Sequence, residues 1–153
     1  MFRIRKRFTF EAAHQLLDAY SKDCSLTIHG HSYIVEVFLV SQGLDQMGMV
    51  LDFGLLKPAI DDIKARWDHA LLLPRSLLKT LSAKARWDSK IEMFPNNMPP
   101  TAEVMAQMLF NHFSEYIDGL LQQQTRGGLK MRIEKVRIHE TETGWAEYQR
   151  EER

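Results

Sequence analysis

The sequence predicts an α+β fold, an antiparallel sheet with two helices on one face. Three patterns carry that expectation. Apolar residues alternate with polar ones near the start and again near the end of the chain, with the period of half-buried strands. Between them lie two stretches whose apolar residues recur every three or four positions, the period of a helix with one buried face. Short turn-forming clusters separate these runs. The expected order is strand, strand, helix, helix, strand, strand, ββααββ.

Taken in order, Phe2, Ile4, Phe8, Phe10 and Ala12 share one parity, broken only by Lys6, and define a first strand over about 2–13. His14 continues the same parity. Residues 15–28 hold no sustained period and are expected to form a loop that contains Cys24. Residues 32–40 are rich in β-branched and aromatic side chains and form a second strand. Residues 42–48 read as a turn, and Met49-Val50-Leu51 as the end of a hairpin. Asp52 is suited to cap a helix whose stripe is Leu56, Ala59, Ile60, Ile63 and Trp67. Pro58 fits only its first turn. Leu71 to Pro74 reads as an apolar stop, Ser76 to Ala85 as a short helix, and Ile91 to Phe94 as a short strand. Thr101 caps the clearest helix, with Glu103 in its first turn and Val104, Met105, Met108, Leu109, Phe113, Tyr116, Ile117 and Leu120 on its apolar face. Met105 and Met108 there read as core filler. Gly127-Gly128 breaks the chain. Lys130 to Glu140 forms a third strand and Trp145 to Gln149 a fourth, joined by the turn at 141–144.

One domain over 1–153 is expected, large enough for a proper core. The chain carries 20 basic and 20 acidic residues, so no net charge draws it to nucleic acid or to an anionic membrane. The local cluster Arg3, Arg5, Lys6 and Arg7 reads as a solvated strand face or as a surface for an anionic substrate. No apolar run approaches the ~20 residues of a membrane span. The first residues are charged, so no secretory signal is expected. A single cysteine allows no internal disulfide and fits a reducing, cytoplasmic setting. The tetrapeptide Ala-Arg-Trp-Asp occurs at 65–68 and at 85–88, without similarity beyond it, and is treated as coincidence.

The candidate chemistry centres on His29-Gly30-His31. Two histidines at i and i+2 share a face of an extended strand, and the second strand begins here. Gly30 is expected to let backbone and metal approach without an intervening Cβ. Paired antiparallel with the first strand, His14 joins them, and three imidazoles converge at one sheet edge. Three histidines would leave an open position on a zinc ion, as in catalytic sites. Cys24 is open to three readings: a base or nucleophile with a depressed pKa, a fourth ligand, or a buried structural thiol. Asp68-His69 is a carboxylate–imidazole pair, or a helix C-terminus carrying a favourable cation. Glu140, at a strand end, is suited to accept two N–H bonds from a heterocycle, or is simply exposed.

Phe10-Glu11-Ala12-Ala13-His14, Cys24, His29-Gly30-His31-Ser32-Tyr33, Val50-Leu51-Asp52-Phe53, Asp68-His69, Pro100-Thr101-Ala102-Glu103 and Glu140-Thr141 occur in that order. Together they resemble the 6-pyruvoyltetrahydropterin synthase family, whose bacterial members include 6-carboxytetrahydropterin synthase of queuosine biosynthesis. The resemblance spans residues 10 to 141. It implies the tunnelling fold, with subunits closing into an oligomeric barrel, a homohexamer with sites between subunits. It implies Zn2+ on His14, His29 and His31. It implies a catalytic group of Cys24, Asp68 and His69, with Glu140 and Thr101 on the substrate. That substrate would be a small-molecule pterin, 7,8-dihydroneopterin triphosphate. The Glu-Ala-Ala-His spelling favours the carboxytetrahydropterin branch, which releases acetaldehyde and triphosphate. The alternatives are pyruvoyltetrahydropterin synthase, or a zinc-holding pterin-binding protein without turnover. Four residues, Ser25 to Ile28, separate Cys24 from His29, a spacer between the bacterial and animal forms. The stretch from His69 to Thr101 is longer than in the short bacterial enzymes.

Overall fold

The computed structural model describes residues 1–77, 90–123 and 130–151. Strand β1 (Phe2–His14) and strand β2 (His29–Ser41) form an antiparallel pair in register over their whole length, from Phe2 opposite Ser41 to His14 opposite His29. Even positions of β1 and odd positions of β2 share the buried face. Phe8, Phe10, Tyr33, Val35, Val37 and Leu39 are all buried there. The parity read from the sequence is therefore the parity of the fold, and β2 begins three residues earlier than its β-branched run.

Helix α1 (Lys22–Leu26) interrupts the stretch expected to be a loop, and Cys24 lies within it. The correction has a local cause. Asp23 stands in its first turn, and the Thr27 hydroxyl donates to the Asp23 carbonyl at its end, so one turn closes without an apolar stripe. Residues 42–51 contain no strand, contrary to the expected hairpin end. Asp45 Oδ1 accepts the N–H groups of Met47 and Met49, and Gly48 takes φ +77°. The turn thereby satisfies its own backbone and needs no partner strand.

Asp52 accepts the Gly54 N–H and starts a 3-10 turn (Phe53–Leu56) that leads into α2 (Lys57–Trp67), with Pro58 in the first turn as expected. The Lys57–Asp61 ion pair ties that turn at i,i+4 spacing. Ala59, Ile60, Ile63 and Trp67 are buried against the sheet.

The largest departure is the sheet itself. Two further strands join it in parallel, β3 (Ala70–Pro74), which was not expected, and β4 (Ile91–Phe94), where a short strand was expected. The sheet is six-stranded and mixed, in the order β4-β3-β1-β2-β5-β6, rather than a purely antiparallel one of four strands. Ala70, Leu72, Leu73 and Pro74 are all buried. A strand covered on both faces shows an apolar run instead of alternation, which is why it read as a stop. Only the beginning of the helix expected over Ser76 to Ala85 can be compared: a 3-10 turn spans Arg75–Leu77, and the remainder lies outside the described residues, as does Gly127-Gly128.

Thr101 caps α3 (Ala102–Gln123), accepting the Val104 N–H on its hydroxyl. Met105, Leu109, Phe113 and Ile117 are buried, so the methionine is core filler as expected. Strands β5 (Met131–His139) and β6 (Trp145–Gln149) complete the sheet. A register shift between Phe38 and Leu39 lets β5 keep Met131, Ile133, Val136 and Ile138 on the core side. Burying each such side chain contributes about 1.5–3 kcal/mol.

The opposite sheet face is polar and carries its own ion pairs. Arg3 meets Glu134, Arg5 meets Glu36, His139 meets Glu36, and Lys135 and Arg137 both meet Glu147. Two of the four residues of the N-terminal basic cluster, Arg3 and Arg5, are thus neutralised within the chain. No helix among the described residues is long and apolar enough to cross a membrane.

Candidate active site

At the end of the β1–β2 pair, register decides what meets what. His14 lies directly opposite His29, and His31 lies opposite Ala12. All three imidazoles share the core-facing parity. One nitrogen from each falls within 4.8 Å of the others, a group able to hold a metal ion. Gly30 has the opposite parity. A Cβ there would meet the Ala12 carbonyl at 3.4 Å, on the far side from the histidines. Its lack of a side chain therefore does not open the way to a metal, contrary to the expectation, because strand alternation already points position 30 elsewhere.

The hydrogen bonds fix which nitrogens face each other. His14 Nδ1 donates to the Pro100 carbonyl at 2.8 Å, and His29 Nδ1 donates to the Thr27 carbonyl at 3.2 Å. A neutral imidazole with Nδ1 protonated has a bare lone pair on Nε2. His14 Nε2 and His29 Nε2 are nevertheless 3.0 Å apart. His31 Nε2 is buried with no hydrogen-bond partner. Burial holds both His14 and His31 below the ordinary histidine pKa, with Glu140 working in the other direction. Lone pairs gathered in a dry pocket repel unless a cation sits among them, and carbonyls on the outer nitrogens are the usual second shell of metal-bound histidines. The donor set fits a zinc-type ion. Tyr33 lies beneath, its hydroxyl 3.4 Å from His14 Nδ1, and burial raises its pKa far above the usual value.

Glu140 enters from the other side. Its Oε1 is 3.5 Å from His14 Nε2 and 3.8 Å from His31 Nε2. Its backbone is held by the turn that follows β5, where the Glu140 and Thr141 N–H groups both donate to the Gly144 carbonyl. A Cβ on Gly144 would come within 3.0 Å of the Thr141 hydroxyl, so only glycine fits that turn unchanged. Glu140 also lines a cavity of about 520 Å³, together with Gln15, Tyr20, Asn97, Thr101 and Glu103. The histidine group and this cavity share one carboxylate. Its nearness to the histidines was not evident from the sequence, because no periodicity links position 140 to position 31.

Asp68 and His69 form the junction between α2 and β3. Asp68 Oδ1 accepts the Glu11 N–H at 2.8 Å and lies 3.3 Å from His69 Nδ1. The Glu11 N–H is the main cause of the depressed Asp68 pKa, with His69 adding to it. His69 adopts φ +58°, and its N–H donates to the Glu11 carbonyl at 2.6 Å. It is largely exposed. It lines a second, open groove of about 880 Å³ with Glu11, Gly30, His31, Ser32 and Lys90. Glu11, Gly30 and Ser32 have the parity opposite to the three histidines, and the His69 imidazole is not part of the metal-capable group. Cys24 is half-buried in α1, is not part of that group, and lines neither cavity. Within one chain, then, the structure brings together His14, His29, His31 and Glu140, places Thr101 on the adjoining cavity, and places His69 on a second groove that His31 also lines. Tyr33 and Pro100 stood in the sequence only within longer motifs, with no role of their own, and Lys90 was not singled out. Only Tyr33 left a signal, through its shared parity.

The mixed sheet with helices on one face, ending in a histidine cluster and a carboxylate-lined cavity, defines a class of protein. The chain matches the model of the 6-pyruvoyl tetrahydropterin synthase family over residues 3–151 and belongs to that family. Among relatives, the 6-carboxy-5,6,7,8-tetrahydropterin synthase of Haemophilus influenzae is 32% identical, over 97% of this chain and 99% of its own. That of Helicobacter pylori is 29% identical over 94% of this chain and 70% of its own. The structure of 6-pyruvoyl tetrahydropterin synthase from Caenorhabditis elegans superposes with a TM-score of 0.67 at 23% identity, covering 98% of this chain and 96% of that one.

Proposed function

We propose that the protein is a zinc-dependent 6-carboxy-5,6,7,8-tetrahydropterin synthase, converting 7,8-dihydroneopterin triphosphate to 6-carboxytetrahydropterin with release of acetaldehyde and triphosphate. The observation that carries the reading is Glu140, whose carboxylate adjoins both the three-histidine group and the 520 Å³ cavity. A pterin ring offers adjacent N–H donors, and a carboxylate accepts them in charge-assisted bonds. A pterin held by Glu140 and flanked by Thr101 would present its side chain toward the histidines. The names of the relatives favour the carboxytetrahydropterin branch over pyruvoyltetrahydropterin synthase.

His14, His29 and His31 would hold zinc. When bound, the ion supplies Lewis-acid polarisation of substrate oxygens. The protein's own groups do the rest. His14 Nδ1 and His29 Nδ1 are committed to carbonyls, which keeps both rings in the tautomer that offers Nε2. Asp68, kept ionised by the Glu11 N–H, orients His69 for proton transfer. Cys24 serves as the second proton-transfer group. His69 lies outside its own chain's metal-capable group, and the catalytic group is completed between subunits, in a homohexameric barrel. A cytoplasmic setting accords with the single cysteine.

The test is triphosphate release from 7,8-dihydroneopterin triphosphate by purified protein, before and after chelation and after zinc is restored. Loss on chelation and recovery with zinc are expected. Pterin binding without triphosphate release in zinc-loaded protein would favour a binding protein without turnover.

A further inference from the structure

Lys90 stands immediately before β4 and brackets His69 from two sides. Its ammonium donates to the Asp68 carbonyl at 2.7 Å, the residue before His69, and to the Lys64 carbonyl at 3.4 Å. Its own carbonyl accepts the Leu71 N–H at 2.8 Å, two residues after His69. The Lys64 carbonyl already accepts the Asp68 N–H at 3.1 Å, so the ammonium is its second donor, and a lysine side chain is one of the groups that can reach carbonyls at a helix C-terminus. Here the lysine comes from a distant strand instead of from the helix, so it ties α2, β3 and β4 at one point.

That point is strained. His69 holds a left-handed backbone, φ +58°, which a residue with a Cβ adopts at a cost. Such a conformation persists only where neighbours over-determine it. Glu11 supplies two of the restraints, through its N–H to Asp68 Oδ1 and its carbonyl to the His69 N–H. Lys90 supplies the others. Without its ammonium the Asp68–His69 peptide, which sets the direction of the His69 ring, keeps only the bond from the His69 N–H to the Glu11 carbonyl and loses its second anchor. Lys90 lines the same groove as that ring.

The geometry points to Lys90 as a positioning residue that holds the Asp68–His69 turn in its working conformation, an inference that rests on the proton-transfer role given to His69 above. A misplacement of about 1 Å in a reacting group can cost up to 10²-fold in rate. The Lys90→Met variant keeps the stem and removes the donor. The expected result is a fall of roughly tenfold or more in kcat on 7,8-dihydroneopterin triphosphate, with KM and metal content unchanged. Lys90→Arg, which retains donors, should recover most of it. In a His69→Ala background, Lys90→Met should cause no further loss, because residues acting as a unit are not additive. A rise in KM at unchanged kcat would make Lys90 a substrate-phosphate contact and overturn the positioning role. An equal loss with and without His69 would overturn it too.

A second readout does not depend on turnover. In histidine-labelled protein without substrate, the ring signals of His69 should shift or broaden in Lys90→Met and return in Lys90→Arg. Unchanged His69 signals would overturn the proposal whatever the activity. Full turnover by His69→Ala would instead refute the role of His69, and the ring signals would still decide whether Lys90 positions it.

Discussion

Two imidazole nitrogens 3.0 Å apart, with a third buried nitrogen beside them, are the feature able to hold a metal ion. Their convergence was legible in the sequence, because His14, His29 and His31 extend the parity of strands whose pairing brings their ends together. What was not legible is which nitrogen points inward, since that depends on carbonyls of Thr27 and Pro100 from other parts of the chain. Protein purified without added metal should carry about one zinc per chain. His29→Ala or His31→Ala should strip it, by elemental analysis. Full retention in both would remove the site. Glu140→Gln keeps the shape but weakens a charge-assisted acceptor. Substrate affinity should fall by a factor that matches about 1.5–3 kcal/mol, with zinc retained, in titrations with a non-reacting pterin. Unchanged affinity would make Glu140 an ordinary acid.

At the scale of elements, long amphipathic segments were readable and β3 was not, while the short strand expected over Ile91 to Phe94 is β4. α2, α3, β1 and β2 each repeat their period several times, so the signal accumulates. β3 has five residues and is apolar on both faces, so it shows no alternation. The parallel pairing of β3 with β1 also depends on the long connection through β2 and α2, which no local pattern encodes. The cap of α3 offers a direct test. Thr101→Ala removes the hydroxyl that accepts the Val104 N–H and should lower stability by about 1 kcal/mol, with Thr101→Ser close to the parent. Urea unfolding measures it. Equal midpoints for all three would show that the cap is not limiting.

For the whole molecule, acid sensitivity follows from its carboxylates and histidines. Asp68 is depressed mainly by the Glu11 N–H, and Glu134 mainly by its hydrogen bond from Arg3. Burial pushes Glu36 up, but the bonds from His139 and Arg5 outweigh it and leave it depressed. A carboxyl depressed by folding binds its proton more readily in the unfolded chain, so stability is fully present above the unfolded value and is lost as pH falls through the folded one. Unfolding midpoints should begin to fall just below neutrality, where the unfolded chain protonates the histidines that burial keeps neutral in the fold, and fall further below about pH 5 as the carboxylates protonate. Glu36→Gln should flatten part of that decline, and an unaltered slope would show that the Glu36 cluster does not contribute. A six-stranded sheet also leaves β4 and β6 as edges, which closure between subunits would cover. Light scattering at micromolar concentration should give a homohexamer, and a monomer would contradict the shared catalytic group.

Product analysis tests the central claim most directly. Zinc-loaded protein incubated with 7,8-dihydroneopterin triphosphate should yield triphosphate, acetaldehyde and 6-carboxytetrahydropterin in equal amounts. Triphosphate with 6-pyruvoyltetrahydropterin and no acetaldehyde would contradict the assignment.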